Sequence, residues 1–269
     1  MNLRWNPYRV FEQSKTPAGL YARKKWLSEE NHSSFKPDFE ETVCLLLSGQ
    51  SPDGSWDQSF IKTVKRLFAL HLTVRDEIDA VKRGLDWLLD RTLIIFTRQR
   101  ISAAEKIPDH AFNGLPFTQG SATIFMISAT LFLSSVFERE DDSDILRMYD
   151  WLQEKGSKGS GKWCGWSSYN NILRAFVVHP HYANSQAVTL AVKNLMQVQK
   201  NSGTWSGAVP FYQTINALAH LDNPDGNVQL ALAFKRLNKT QRPDGTWSRS
   251  QSEWINFLII HALKNKGEL

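Results

Sequence analysis

The chain predicts an all-α protein arranged as a closed ring of six two-helix units, on three observations. A Gly-x-Trp turn recurs as Gly54-Ser55-Trp56, Gly161-Lys162-Trp163, Gly203-Thr204-Trp205 and Gly245-Thr246-Trp247, and the last three tryptophans are each 42 residues apart. Between the turns, an amphipathic segment alternates with a more apolar one. Six units of about that period use up the 269 residues in a single domain.

The first unit is incomplete. "TPAGLYARKKWLSEE" offers Thr16 as N-cap and Pro17 at the first helical position, the start of an inner helix with no outer helix before it. The turn "QSPDGSW" at 50–56 follows, and its near copy is "QRPDGTW" at 241–247. A degraded turn, "NGLPF" at 113–117, precedes the next apolar segment, so residues 92–113 read as an inserted loop or lid. The run 121–137 is free of charge but carries six Ser or Thr residues and ends against Glu138, which favours a buried helix over a membrane span.

In the later units the division of labour is plain. "NVQLALAFKRLNKT" sets Val228, Leu232 and Phe234 against Lys235, Arg236 and Lys239 at helical spacing, as an outer helix does. "SEWINFLIIHAL" has little polar face left and must be an inner helix. The turn residues follow from the same scheme. Glycine supplies a positive φ, tryptophan covers the open end of the hairpin, and a glutamine six positions before it reaches unpaired backbone groups. That glutamine is Gln50, Gln199 or Gln241; the second turn has Ser157 instead.

Composition narrows the function classes. Cys44 and Cys164 lie far apart with no CxxC partner, which argues against a disulfide framework or thiolate zinc site and for a reducing, cytoplasmic compartment. The start, "MNLRWNPYRV", lacks the apolar run of a signal peptide. The first 27 residues hold Arg4, Arg9, Lys15, Arg23, Lys24 and Lys25 against Glu12, a basic face that is either simply solvated or suited to an acidic partner or peripheral contact with an anionic membrane. No nucleic-acid motif accompanies it.

The strings "QSPDGSW", "QKNSGTW" and "QRPDGTW" resemble the Gln-x-x-x-Gly-x-Trp repeats of squalene–hopene cyclases and the related repeats of protein prenyltransferase β-subunits. The resemblance implies an (α/α)6 toroid whose central cavity, lined by inner-helix N-termini, holds an isoprenoid chain. It also implies where catalytic groups would stand. The cyclases protonate their substrate with a DxDD motif, and here "FTQGSATIF" places Thr118, Gln119, Gly120 and Ser121 at those positions. Hydroxyls and an amide cannot replace the shared proton of clustered carboxylates. The prenyltransferases use Asp, Cys and His as zinc ligands, the histidine within Tyr-His-Thr. Here Gln213 stands between Tyr212 and Thr214, and Cys164 has no acidic neighbour. The expectation is thus no metal and no cofactor.

The acidic run "EREDDSD" fails the DDxxD spacing of a magnesium–diphosphate motif, because Ile145 follows Asp144, and it reads as the start of an outer helix. His71, His179, His220 and His261 all fall fourteen to sixteen residues after a turn tryptophan, near inner-helix C-termini. Their unequal offsets argue against a shared inward ring, since one residue rotates a helical position by about 100°.

The expected pocket is aromatic. Phe60, Phe117, Trp166, Tyr169, Phe211, Tyr212 and Trp254, with Gln119, Asn170 and Gln213, stand at inner-helix starts and are the candidate ligand-binding residues. Asp57 and Glu253 are the acids at the same level and the candidate catalytic residues. The expected function is a toroid protein that binds an isoprenoid or lipid, or holds a protein partner, without classical cyclase or zinc chemistry. The alternative is an active terpenoid cyclase or prenyl-transferring enzyme that uses Asp57 or Glu253 as a non-standard acid.

Overall fold

The structure, a computed structural model, describes residues 1–98, 107–250 and 252–269. Its helices alternate between two concentric layers. The inner layer is α1 (Pro17–Lys25), α3 (Phe60–Thr73), α5 (Ala122–Val136), α7 (Trp166–Phe176), α9 (Phe211–Leu218) and α11 (Ser252–Asn265). The outer layer is α2 (Phe35–Leu47), α4 (Asp79–Arg98), α6 (Ser143–Lys158), α8 (Gln186–Gln197) and α10 (Pro224–Thr240). Each inner helix packs on the next, and α11 returns to pack on α1, so the ring closes.

The expected all-α toroid is what forms, with six inner helices and, among the described residues, five outer α-helices. Helix α1 begins as its sequence predicts: Pro17 occupies the first turn and the Thr16 hydroxyl accepts from the Gly19 amide at 3.0 Å. Helix α5 is buried along nearly its whole length between neighbours on both sides, which accounts for its uncharged sequence. Among the described residues no helix is long and apolar enough to cross a membrane. Residues 92–98, expected within an inserted loop, instead extend α4, while residues 99–106 of that insertion lie outside the described residues.

The four Gly-x-Trp turns act as clamps, and their grip falls on the following outer element. Gly54, Gly161, Gly203 and Gly245 have φ of 93°, 81°, 83° and 82°. A Cβ on Gly54 would lie 2.2 Å from the Arg83 carbonyl oxygen of α4, and one on Gly203 would lie 2.3 Å from that of Leu232 in α10. Backbone approach this close demands glycine quite apart from the dihedral.

The glutamine works differently from expectation. Instead of capping a helix end, Gln50 Nε2 bridges the Gly54 carbonyl at 2.9 Å and the Ala80 carbonyl in the first turn of α4 at 2.7 Å. Gln199 Nε2 likewise bonds Gln229 of α10 at 2.9 Å. In the turn without a glutamine, Asn194 of α8 reaches back to the Ser160 carbonyl at 2.8 Å. The tryptophan indoles pin the other side: Trp56 donates to Ser48, Trp163 to Leu152 and Trp247 to Leu237, at 3.1, 2.7 and 2.8 Å.

Among the described residues the last clamp meets no sixth outer helix. It takes the N-terminal segment instead: Gln241 exchanges two hydrogen bonds with the Trp5 backbone, at 3.0 and 2.9 Å, and Gly245 packs on Asn6. Part of the basic N-terminal excess is neutralised locally. Arg23 is buried between Glu29 and Asp38, both at 2.8 Å, and holds the Asp38 carboxyl below its ordinary range; Lys15 pairs with Asp38 at 2.9 Å and Lys24 with Glu30 at 3.0 Å.

Candidate functional site along the ring axis

The ring axis is closed at one end and hollow at the other. At the N-terminal end of the inner helices, residues 113–117 fold inward as a plug. The Trp254 indole donates to the Leu115 carbonyl at 3.1 Å, and its ring stacks on Phe257 and meets Phe68 edge-on. Phe117 is 1% exposed and packs edge-on against Phe125 and Phe132. Two cavities adjoin this plug.

The first is a groove of about 670 Å³ at the rim. The start of α1 (Thr16, Pro17, Ala18), Leu46 of α2, one face of α3 (Lys65 to Leu72), the plug at Leu115 and the start of α11 (Glu253, Trp254) form its walls. Its volume suits a small apolar ligand. Glu253 sits here, accepting a hydrogen bond from the Thr16 hydroxyl.

The second is a chamber of about 280 Å³ on the axis, within the C-terminal halves of the inner helices. Phe68, Leu72 and Trp254 line both spaces and divide them. Arg174 reaches in from α7, donating to Asn216 Oδ1 at 2.7 Å while its guanidinium lies over the Phe132 ring at 5.0 Å. His71, His220 and His261 also line the chamber, with Arg75 beyond the end of α3. The rings of His220 and His261 stack at 5.2 Å.

Burial, followed by the field of Arg75 and Arg174, depresses the His71 pKa to about 3; burial and the same two arginines take His261 to about 4. Burial alone lowers Arg174 to about 9. Burial, followed by the field of Arg174, also lowers the His220 pKa well below the ordinary imidazole value, so the three histidines are neutral at physiological pH.

Three of the four histidines thus converge despite their unequal offsets, a correction to the sequence reading. The interval from tryptophan to inner helix differs among the turns, since α3 starts at Phe60 after Trp56, α9 at Phe211 after Trp205 and α11 at Ser252 after Trp247. Distance from the tryptophan therefore does not set rotational phase. His179 stands apart, against Tyr149 and Tyr182. Among the described residues no three His, Cys, Asp or Glu side chains are placed to share a metal ion.

Of the residues expected at the pocket, Trp254 and Glu253 reach the axial cavities. Asp57 does not meet Glu253: it is exposed, paired with Lys62 at 2.6 Å, and lines with Phe60 a lateral recess between α3, α4 and α5. Its hydrogen bond and charge attraction to Lys62 lower its pKa, so it is ionised and holds no proton to give.

The others line neither of the two axial cavities. Tyr169 is buried with its hydroxyl on the Ala191 carbonyl, Asn170 is buried beside Thr214, and the Tyr212 hydroxyl donates to the Trp247 carbonyl at 3.3 Å. Trp166 leans on Tyr169, Phe211 on Trp205, and Gln119 Nε2 bonds the Ile107 carbonyl at 3.0 Å; Gln213 is half-buried at the start of α9.

The stretch aligned with the cyclase acid motif is likewise committed to packing. Thr118 bonds Asn171 and the Ser167 carbonyl, Ser121 caps α5 and its amide donates to the Ser168 hydroxyl oxygen, and a Cβ on Gly120 would crowd Ser168. Sequence reasoning missed Arg174, Arg75 and Asn216. A signal for the first was present: Arg174 is a charge within "WSSYNNILRAF", an inner helix that offers it no solvent face.

No protein-family model and no curated protein matches the chain. Solved structures do match over nearly its whole length. The type II terpene cyclase MstE from Scytonema, in its apo form, is similar at 15% identity and a TM-score of 0.58, covering 95% of this chain and 89% of that one. A variant of MstE in complex with geranylgeranyl dihydroxybenzoate gives 15% and 0.60, covering 95% and 87%. A protein from Actinoplanes gives 16% and 0.55, covering 94% and 89%. The fold is that of the terpenoid cyclase-like toroids.

Proposed function

We propose that the protein binds an apolar, isoprenoid-type ligand in the rim groove and does so without the carboxylate acid of the cyclases or the zinc site of the prenyltransferases. The observation that carries this reading is the groove itself, an apolar trough of about 670 Å³ bounded by Pro17, Leu46, Phe68, Ala69, Leu72 and Trp254. Supporting it, Thr118, Gly120 and Ser121 of the stretch aligned with the acid motif pack the start of α5 against α7, and the stretch has no carboxylate. The similarity to a cyclase that takes a geranylgeranyl-bearing substrate agrees with the ligand class.

A second reading, catalysis by a non-standard acid, is favoured by one feature. Glu253 lies in the groove beside Trp254, whereas Asp57 lies outside it. Geranylgeraniol binding, followed by tryptophan fluorescence, tests the first reading. Ala69→Phe fills the groove and is expected to weaken binding at least tenfold, and unchanged affinity would overturn the assignment. Incubation with squalene, oxidosqualene or geranylgeranyl dihydroxybenzoate tests the second: a cyclised product that disappears in Glu253→Gln would make the protein an enzyme.

A further inference from the structure

The axial chamber carries positive charge that its walls do not offset. Arg174 is 7% exposed, makes its hydrogen bond to a neutral amide, and leaves Nε without a partner. Arg75 stands at the same space, and among the described residues no Asp or Glu lines it or pairs with either arginine. Ring nitrogens are also unpartnered: Nδ1 of His71, Nε2 of His220 and Nδ1 of His261.

The inner-helix C-termini make this end tolerant of cations. They do not explain a buried guanidinium with no counter-charge, which is ordinarily among the least favourable arrangements in a protein. Water can satisfy donors but cannot supply the missing negative charge.

We infer that the chamber is a binding site for a phosphate-type oxyanion, held by Arg174 and Arg75 with the imidazoles of His71, His220 and His261 completing its shell. Five side chains from four stretches of the ring converge, more than the two oxygens of a carboxylate would use, and guanidinium matches phosphate geometry. The arrangement lies across the plug from the rim groove and does not depend on the proposal for that groove. The phosphate has two possible sources, a free anion or the head of a longer ligand.

Calorimetric titration of the full chain with inorganic phosphate, and separately with geranylgeranyl monophosphate, tests the site. Saturable binding is expected, weakened at least tenfold by Arg75→Ala and abolished by Arg174→Met, while the groove-filling Ala69→Phe leaves inorganic phosphate binding unchanged. Arg75 is exposed, so its variant carries the test even if Arg174→Met fails to fold. A folded Arg174→Met is also expected to melt at a higher temperature than wild type in the absence of anion. Binding of inorganic phosphate alone, lost in the arginine variants, supports the site with a free anion as its source; loss of both probes supports either source. No saturable binding of either probe, or affinities unchanged by the arginine variants, overturns it.

Discussion

The turn at Gly203 and the turn at Gly114 share a backbone conformation, φ +83° and +79°, yet they do opposite things. A Cβ on Gly203 would collide with α10, whereas a Cβ on Gly114 would meet nothing within 4 Å. The first is trapped between its own inner helix and the next outer one. The second lacks the tryptophan common to the other turns, and its glycine grips no neighbour. Released from that duty, residues 113–117 fall toward the axis, where Leu115 meets Trp254. The contrast teaches that positive φ makes the turn, while contact with the following element makes the clamp. The one turn that lost the clamp became the plug.

This contrast can be broken by graded substitutions. Gly203→Ala is expected to cost most, about 3 kcal/mol, because strain and collision with the Leu232 backbone add; chemical denaturation measures it. Gly245→Ala meets the Asn6 carbonyl at 2.0 Å, but the terminal segment can shift, so the loss should be about 2 kcal/mol and protease cutting before Pro7 should quicken. Gln199→Ala removes the bridge to α10 for about 1.5 kcal/mol, read as a lower melting temperature. Gly114→Ala carries only the dihedral penalty of about 1 kcal/mol. Equal costs at Gly114 and Gly203 would refute the distinction between turn and clamp.

Much of the fold was legible in the sequence because the toroid is written in repeats. The period, the Thr16–Pro17 start of α1 and the uncharged α5 each depend on local residues, and each matches the structure. What joins the units was less legible. The Gly-x-Trp string announces a turn but not that Gly245 will seize Asn6 from the far end of the chain. The site was least legible of all. Aromatic residues at helix starts look the same whether they line a cavity or, like Tyr169 and Phe117, fill one. Turn lengths shift the phase of each inner helix, so the convergence of His71, His220 and His261 could not be read from spacing. Trp254 and Glu253 reached a cavity because α11 starts beside α1, across the seam of the ring.

That seam has a consequence for how the molecule assembles. In a linear stack of modules each answers only to its neighbours, and one can be removed while the others stay folded. Here the pairing of Gln241 with Trp5 spans 236 residues, so the hoop is completed only after almost the entire polypeptide has found its place. Such distant pairing slows folding, and it leaves no terminal module to fray independently: excising a single unit would break the hoop instead of shortening it.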